Sequence, residues 1–253
     1  MASNFVWYEL MTSDVEAAEA FYTKVVGWTA EAFPGSDFLY RIMKTGEVGL
    51  GGIMEIPQEA RAMGQPPAWL GYIHAANVDG ATEGVRKAGG AVHREPSDIA
   101  GVGRFSVVAD PQGAVFLLFA PQGDGGPTLP ATAPGRVGWH ELYTSDWQAA
   151  LDFYSGQFGW TKDEAMDMGP MGTYQLFAVD GQQTGGMMNM PEQVPAPAWL
   201  FYFNVEAIDA AAERVRSGGG QVLNGPMEVP GGSWIIQCMD PQGAMFALAA
   251  PAR

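Results

Sequence analysis

The chain repeats itself once, and that duplication limits its possible folds more than any other feature. Residues 7–14 read Trp-Tyr-Glu-Leu-Met-Thr-Ser-Asp, and residues 139–146 read Trp-His-Glu-Leu-Tyr-Thr-Ser-Asp. Both copies continue through Phe-Tyr (21–22, 153–154) to Gly-Trp-Thr (27–29, 159–161). Further on, Gly51-Gly52 is matched by Gly185-Gly186, and Pro67-Ala68-Trp69-Leu70 by Pro197-Ala198-Trp199-Leu200. Asp-Pro-Gln-Gly-Ala stands at 110–114 and again at 240–244. The offset stays close to 130 residues, the mark of a tandem duplication with small loop adjustments. Residues 122–135 are rich in Pro and Gly and lack apolar periodicity, so they read as a linker. The expected organisation is a first domain over 1–121 and a second over 136–253, each long enough for its own core.

Within each copy the pattern alternates between strand and helix. A strand-like stretch from Phe5 to Met11 ends at Ser13, and Ser13-x-x-Glu16 reads as a capping box, repeated as Ser145-x-x-Gln148. Gly27 and Gly159 suit left-handed helix C-caps. Strands are expected near 38–44 and 48–55, with counterparts at 173–179 and 184–190, then at 69–75 and 199–205. A second helix opens at Asp79 or Asp209 and closes at the glycines 89–90 or 218–220. Two final strands follow, joined by Asp-Pro-Gln-Gly, which fits a type I turn. Each copy reads βαβββ twice, giving four such modules in an α+β chain.

Composition closes off several functions. No apolar run approaches the roughly 18 residues of a membrane span. The first residues carry neither a basic n-region nor an apolar h-region, so the expected address is cytoplasmic. Thirteen Lys+Arg against 28 Asp+Glu leave a net charge of −15, which repels nucleic acid and anionic lipid. Neither nucleic acid nor a membrane is an expected partner. Cys238 stands alone in an apolar run, a buried inert thiol rather than a nucleophile or part of a thiolate cluster. The Asp-Pro turns at 110 and 240 read as turn chemistry. The glycine doublets read as close strand contact or a bulge, since no helix follows them.

The spacing Asp-x-x-x-Ala-x-x-Phe-Tyr-x-x-x-x-Gly-Trp after a first strand resembles the opening of the vicinal-oxygen-chelate superfamily. That superfamily comprises glyoxalase I, bleomycin-resistance proteins, fosfomycin-resistance enzymes and extradiol dioxygenases. Ala88-Gly89-Gly90, the prolines at 96 and 226, and Asp-Pro-Gln-Gly before a strand match as well. The resemblance covers nearly the whole of both copies and looks like the tandem two-domain glyoxalase-like subgroup. It implies two such domains, each built from two βαβββ modules that curl into a cup-shaped, partly open sheet. Metal-dependent members carry ligands at four places. By the shared motifs these fall on Trp7, Gly52, Leu70 and Leu117 in the first copy, and on Trp139, Gly186, Leu200 and Ala247 in the second. None offers an imidazole or a carboxylate, so no cofactor is expected, and a divalent metal only through a non-standard site.

Strand alternation then says what lines the cups instead. Trp7 brings Glu9 with it, and Trp139 brings Glu141. On the fifth strands, Leu70, Tyr72 and His74 share a face, as do Leu200, Tyr202 and Asn204. The pseudo-symmetry implied by the resemblance sets Glu9 opposite His74, a carboxylate–imidazole general base; the alternative is a structural Glu held by backbone or the partner domain. Glu9, His74 and Glu141 are the candidate catalytic residues. Trp7, Tyr72, Trp139, Tyr202, Asn204, Met54 and Met188 are the candidate ligand-binding residues, an aromatic wall made pliable by methionine. Trp69 and Trp199 read as core, and His140, one residue off the ligand place, as a satisfied core histidine.

The function this supports is a glyoxalase- or bleomycin-resistance-like protein that binds a small apolar or aromatic molecule without the usual metal. The alternative is a metal-dependent lyase, isomerase or dioxygenase with a rearranged ligand set, and a third is a partner-binding scaffold. The chain is expected as a homodimer or as an internally paired monomer.

Overall fold

The computed structural model describes residues 2–34, 38–123 and 127–253. The first repeat runs β1 (Phe5–Thr12), α1 (Val15–Val26), β2 (Thr29–Ala32), β3 (Tyr40–Thr45), β4 (Val48–Glu55), a short α2 (Gln58–Ala62), β5 (Ala68–His74), α3 (Val78–Lys87), β6 (Ala91–Ile99), β7 (Gly103–Ala109) and β8 (Val115–Pro121). The second runs β9 (Val137–Thr144), α4 (Trp147–Phe158), β10 (Thr161–Asp167), β11 (Thr173–Val179), β12 (Gln182–Asn189), β13 (Ala198–Asn204), α5 (Ile208–Ser217), β14 (Gln221–Glu228), β15 (Trp234–Met239) and β16 (Met245–Ala250). The βαβββ pattern thus appears twice per repeat. The additions are α2 and a 3-10 turn at Gly169–Met171, in stretches without a long apolar period.

Local chemistry explains the boundaries. Asp14 caps α1 by accepting from the Ala17 amide at 3.0 Å, and Asp146 caps α4 from the Gln148 and Ala149 amides. The cap therefore falls one residue later than the Ser13 and Ser145 boxes suggested. Both residue types cap helices well, and the aspartate is the one left in extended backbone when the helix begins. Gly27 and Gly159 end these helices at φ 90° and 74°, the left-handed region where a side chain is strained. The α3 cap is Asn77 rather than Asp79, and α5 starts without a side-chain cap.

The strands form two eight-stranded mixed sheets, ordered β2-β3-β4-β1-β5-β8-β7-β6 and β10-β11-β12-β9-β13-β16-β15-β14. Neither closes into a barrel. Among the described residues no helix is long and apolar enough to cross a membrane.

Two compact units divide the chain, and they cut across the repeats. One gathers residues 7–69, 127–139 and 201–253, so α1 of the first repeat packs on α5 of the second. The other gathers residues 2–6, 70–123 and 140–200, where α3 packs on α4. Each unit has an aromatic core with its polar edges satisfied. In the unit holding α1, Tyr22 meets Trp69 edge-on at 5.2 Å, and Trp28 meets Phe203 at 4.9 Å. The Trp69 indole donates to the Tyr22 hydroxyl at 2.8 Å, and that hydroxyl donates to Asp240 at 3.1 Å. In the unit holding α4 the relay recurs: Trp199 donates to Tyr154 at 3.0 Å, and Tyr154 to Asp110 at 3.1 Å. Trp69 and Trp199 are core residues, as their sequence context implied.

The Asp-Pro-Gln-Gly turns therefore do more than turn. The Asp110 carboxylate accepts from the amides of Gln112, Gly113 and Ala114 at 2.8–3.0 Å while also accepting from Tyr154 of the other repeat. Burial pushes Asp110 and Asp240 above the usual carboxylate range, although the hydrogen bonds pull the other way. Cys238 is fully buried, and burial lifts its thiol to about 12, which keeps it protonated and inert.

Candidate functional site

β1 lies parallel to β4 with Glu9 opposite Gly52, and β4 lies antiparallel to β3 with Tyr40 opposite Met54. This register carries the Tyr40 ring across the backbone of Gly52. A Cβ built on Gly52 would sit inside the hydroxyl end of that ring, so only glycine leaves room for it. The space left by the missing side chain of Gly52 is occupied by a phenol reaching over from the next strand.

That phenol joins the two residues that alternation had put on one face. The Trp7 indole N–H donates to the Tyr40 oxygen at 3.2 Å, and the Tyr40 hydroxyl donates to Glu9 Oε2 at 2.9 Å. Glu9 is 5% exposed, whereas Trp7 and Tyr40 are half-buried. Burial, then the charge of Glu9, pushes the Tyr40 pKa far above that of a free phenol, so the hydroxyl keeps its proton and acts as a donor. Phe33 and Phe38 frame the same ring edge-on, at centroid distances of 6.0 and 6.1 Å. The Phe33 amide also donates to the Tyr40 carbonyl, which continues the β2–β3 pairing by one residue.

The second repeat carries the same parts. β9 and β12 pair with Glu141 opposite Gly186, and Tyr174 lies opposite Met188. A Cβ on Gly186 would again overlap a ring, that of Tyr174. Glu141, Tyr174 and Met188 are buried, and Trp139 is half-buried. The glycine doublets are thus places of close approach, as their setting implied.

The remaining candidates have these surroundings. Tyr72 is buried edge-on against Phe119 at 5.8 Å. His74 is half-buried at the end of β5, with its amide donating to the Asn4 carbonyl at 2.9 Å. Tyr202 accepts from the Gln237 side-chain amide at 2.9 Å. Asn204 donates to the linker carbonyls of Ala131 and Ala133, at 2.8 and 3.2 Å, which commits its amide hydrogens to chain connectivity. Met54 is half-buried beside Tyr40 in register. His140 is buried, stacked on Phe5 at 4.5 Å with Nδ1 on the Thr184 carbonyl, a core histidine. Sequence reasoning missed Tyr40, Tyr174, Phe33 and Phe38. The signal for the two tyrosines was present, since both copies place one on the strand just before the glycine doublet.

These donors do not fit a divalent cation. Positions 7, 52, 70 and 117 hold indole, hydrogen and alkyl groups, as do 139, 186, 200 and 247. Among the described residues no group of three or more His, Cys, Asp or Glu is placed to share an ion.

Comparisons with known proteins bear on the family and the fold. A model of the Glyoxalase/Bleomycin resistance protein/Dioxygenase superfamily matches residues 4–118 and 136–248. The "Putative glyoxylase CFP32" of Mycobacterium tuberculosis is 32% identical over 97% of this chain and 94% of its own length. The "Anthracycline biosynthesis protein DnrV" of Streptomyces peucetius is 31% identical over 96% of this chain and 91% of its own. The Mn(II)-bound glyoxalase from Novosphingobium aromaticivorans shares the fold at a TM-score of 0.69 and 16% identity, covering 99% of this chain and 82% of that one.

Proposed function

Since the chain belongs to the Glyoxalase/Bleomycin resistance protein/Dioxygenase superfamily, we propose that it binds a small apolar, ring-bearing molecule at the Trp7–Glu9–Tyr40 site and its Glu141–Tyr174 copy, without the superfamily's divalent metal. The observation that carries this reading is the Tyr40 phenol seated over Gly52 and bonded to both Trp7 and Glu9. It closes that place with a phenol whose one hydrogen is held by Glu9 and whose ring offers the guest an apolar surface. Aromatic and methionine side chains around it suit a flat apolar guest. Relatives named as anthracycline biosynthesis proteins support the same ligand class. Proton abstraction from such a guest falls to Glu9 in the first repeat and to Glu141 in the second. Ligand contacts fall to Trp7, Tyr72, Trp139, Tyr202, Met54 and Met188. The setting is cytoplasmic, with neither nucleic acid nor membrane as partner.

The test is a fluorescence titration with a soluble anthraquinone. The reading expects saturable quenching of tryptophan emission, weakened about tenfold by Tyr40→Phe, which removes the hydroxyl that holds Trp7 and Glu9 in place, a hydrogen bond worth about 1.5 kcal/mol. No saturable quenching defeats it. The competing reading, a metal-dependent lyase, isomerase or dioxygenase using Glu9 and His74, expects stoichiometric Mn(II) uptake that His74→Ala abolishes.

A further inference from the structure

The two copies differ in charge at a matched position on one sheet face. In the first copy, β5, β8, β7 and β6 carry Tyr72, Leu117, Val107 and Arg94 side by side in register. In the second, the same row across β13, β16, β15 and β14 reads Tyr202, Ala247, Gln237 and Asn224. Each matched pair lies 130 residues apart, so Arg94 answers to Asn224.

Two ion pairs tell which way the first-copy side chains point. Arg104 of β7 reaches Asp79 of α3 at 2.7 Å, and Glu95 of β6 meets Arg86 of α3 at 2.6 Å, so both lie on the helix-covered face. Alternation then puts their neighbours Phe105 and Arg94 on the opposite, open face. Arg94 indeed stands over the Phe105 ring, 4.8 Å from its centroid. Asp98 also turns to the helix side, where it pairs with Arg104 at 3.0 Å. Glu95 and Asp98 are the only carboxylates in these four strands, so the open face carries none.

Arg94 itself is exposed, and among the described residues no carboxylate forms an ion pair with it. The ring beneath steadies the guanidinium by a cation–π contact. A planar fork of this kind matches a carboxylate through two parallel hydrogen bonds. Val107, Leu117 and Phe119 beside it are apolar, which makes such a pair worth more than one in open water. In a chain of net charge −15, a face with this cation and no acid runs against the surface as a whole.

From this we infer that Arg94, stacked on Phe105, is a specificity residue that binds the carboxylate of a planar aromatic acid whose ring lies on the apolar wall beside it. The inference rests on the ligand-binding reading above, to which Tyr72 of the same face belongs, and names the charge of the ligand. Asn224 has no charge to offer, so the acid site belongs to the first copy alone.

Calorimetric titration of the full chain with 2-naphthoate and with 2-naphthamide, its uncharged counterpart, tests the inference. One naphthoate per chain is expected, bound about tenfold more tightly than the amide, as hydrogen bonds to a charged group allow. Arg94→Gln should erase that preference and leave naphthamide affinity unchanged. Arg94→Lys should restore part of it, because an ammonium keeps the charge but not the planar fork. Lys24→Gln removes an exposed charge on α1 and should leave the preference intact, which separates local recognition from net charge. Equal affinity for the two compounds, a preference that survives Arg94→Gln, an equal loss in Lys24→Gln, or no naphthoate binding overturns the inference. If the anthraquinone still quenches in those cases, the ligand-binding reading survives; if it does not, both fail.

Discussion

Gly52 and Tyr40 make sense only together. The absent side chain at 52 admits the phenol, and the phenol ties Trp7 to Glu9. Gly52→Ala should therefore destabilise the fold by about 1–3 kcal/mol through overpacking. Adding Tyr40→Ala removes the overlapping ring, so the double variant should lose less than the sum of the two singles in urea unfolding. Simple additivity would mean the ring and the glycine do not share that space. Half of this site was legible in the sequence. Period-2 alternation sets Trp7 and Glu9 on one face whatever their neighbours do. Tyr40 was not, because it arrives from another strand, and sequence does not state inter-strand register. Asn204 shows the same gap, since alternation gives its face but not the linker carbonyls that claim its amide.

Elements were legible down to a residue or two. Gly27 and Gly159 announce helix ends because their backbone needs φ above zero, whereas Ser13 and Asp14 compete as caps and only the chain path decides between them. Asp14→Ala should cost about 1 kcal/mol in thermal or urea unfolding, and Ser13→Ala much less. What no pattern reveals is that the Asp110 and Asp240 turns are wired to tyrosines in the opposite repeat. Both carboxyls have raised pKa values, chiefly through burial. Their contribution to stability is thus fully present below the unfolded-state value of about 3.9 and is lost as pH rises through the folded-state value. Asp110→Asn does not titrate and leaves the Tyr154 hydroxyl hydrogen without an acceptor. The stability gap between the parent and Asp110→Asn should be widest near pH 4 and narrow toward pH 7. A gap that widens with pH would show that the four hydrogen bonds outweigh burial.

At the scale of the molecule, the repeat announces what folds but not with whom. Internal similarity gives two copies of one architecture, yet each compact unit takes one module from each copy. The reason is physical: two modules with the same sequence pattern bury the same kind of face, so pairing within or between copies satisfies a single copy's sequence equally well. The wired turns and the α1–α5 and α3–α4 packing set the partner, and they lie far apart in sequence. A chain cut within the linker upstream of Leu129 should therefore keep its halves together. Co-elution of both fragments on size exclusion with unchanged circular dichroism is the expected outcome; separation of folded halves would contradict it.

The claim beneath the proposed function is that a phenol seated over a glycine, Tyr40 over Gly52 and Tyr174 over Gly186, stands in each repeat in place of a divalent ion. Native mass spectrometry of the protein as purified, paired with elemental analysis, reads that directly. The account predicts a mass equal to the chain or the chain plus an organic ligand, with every divalent metal well below one equivalent. One tightly held Mn, Fe, Ni or Zn per chain that disappears in Glu9→Gln would contradict it.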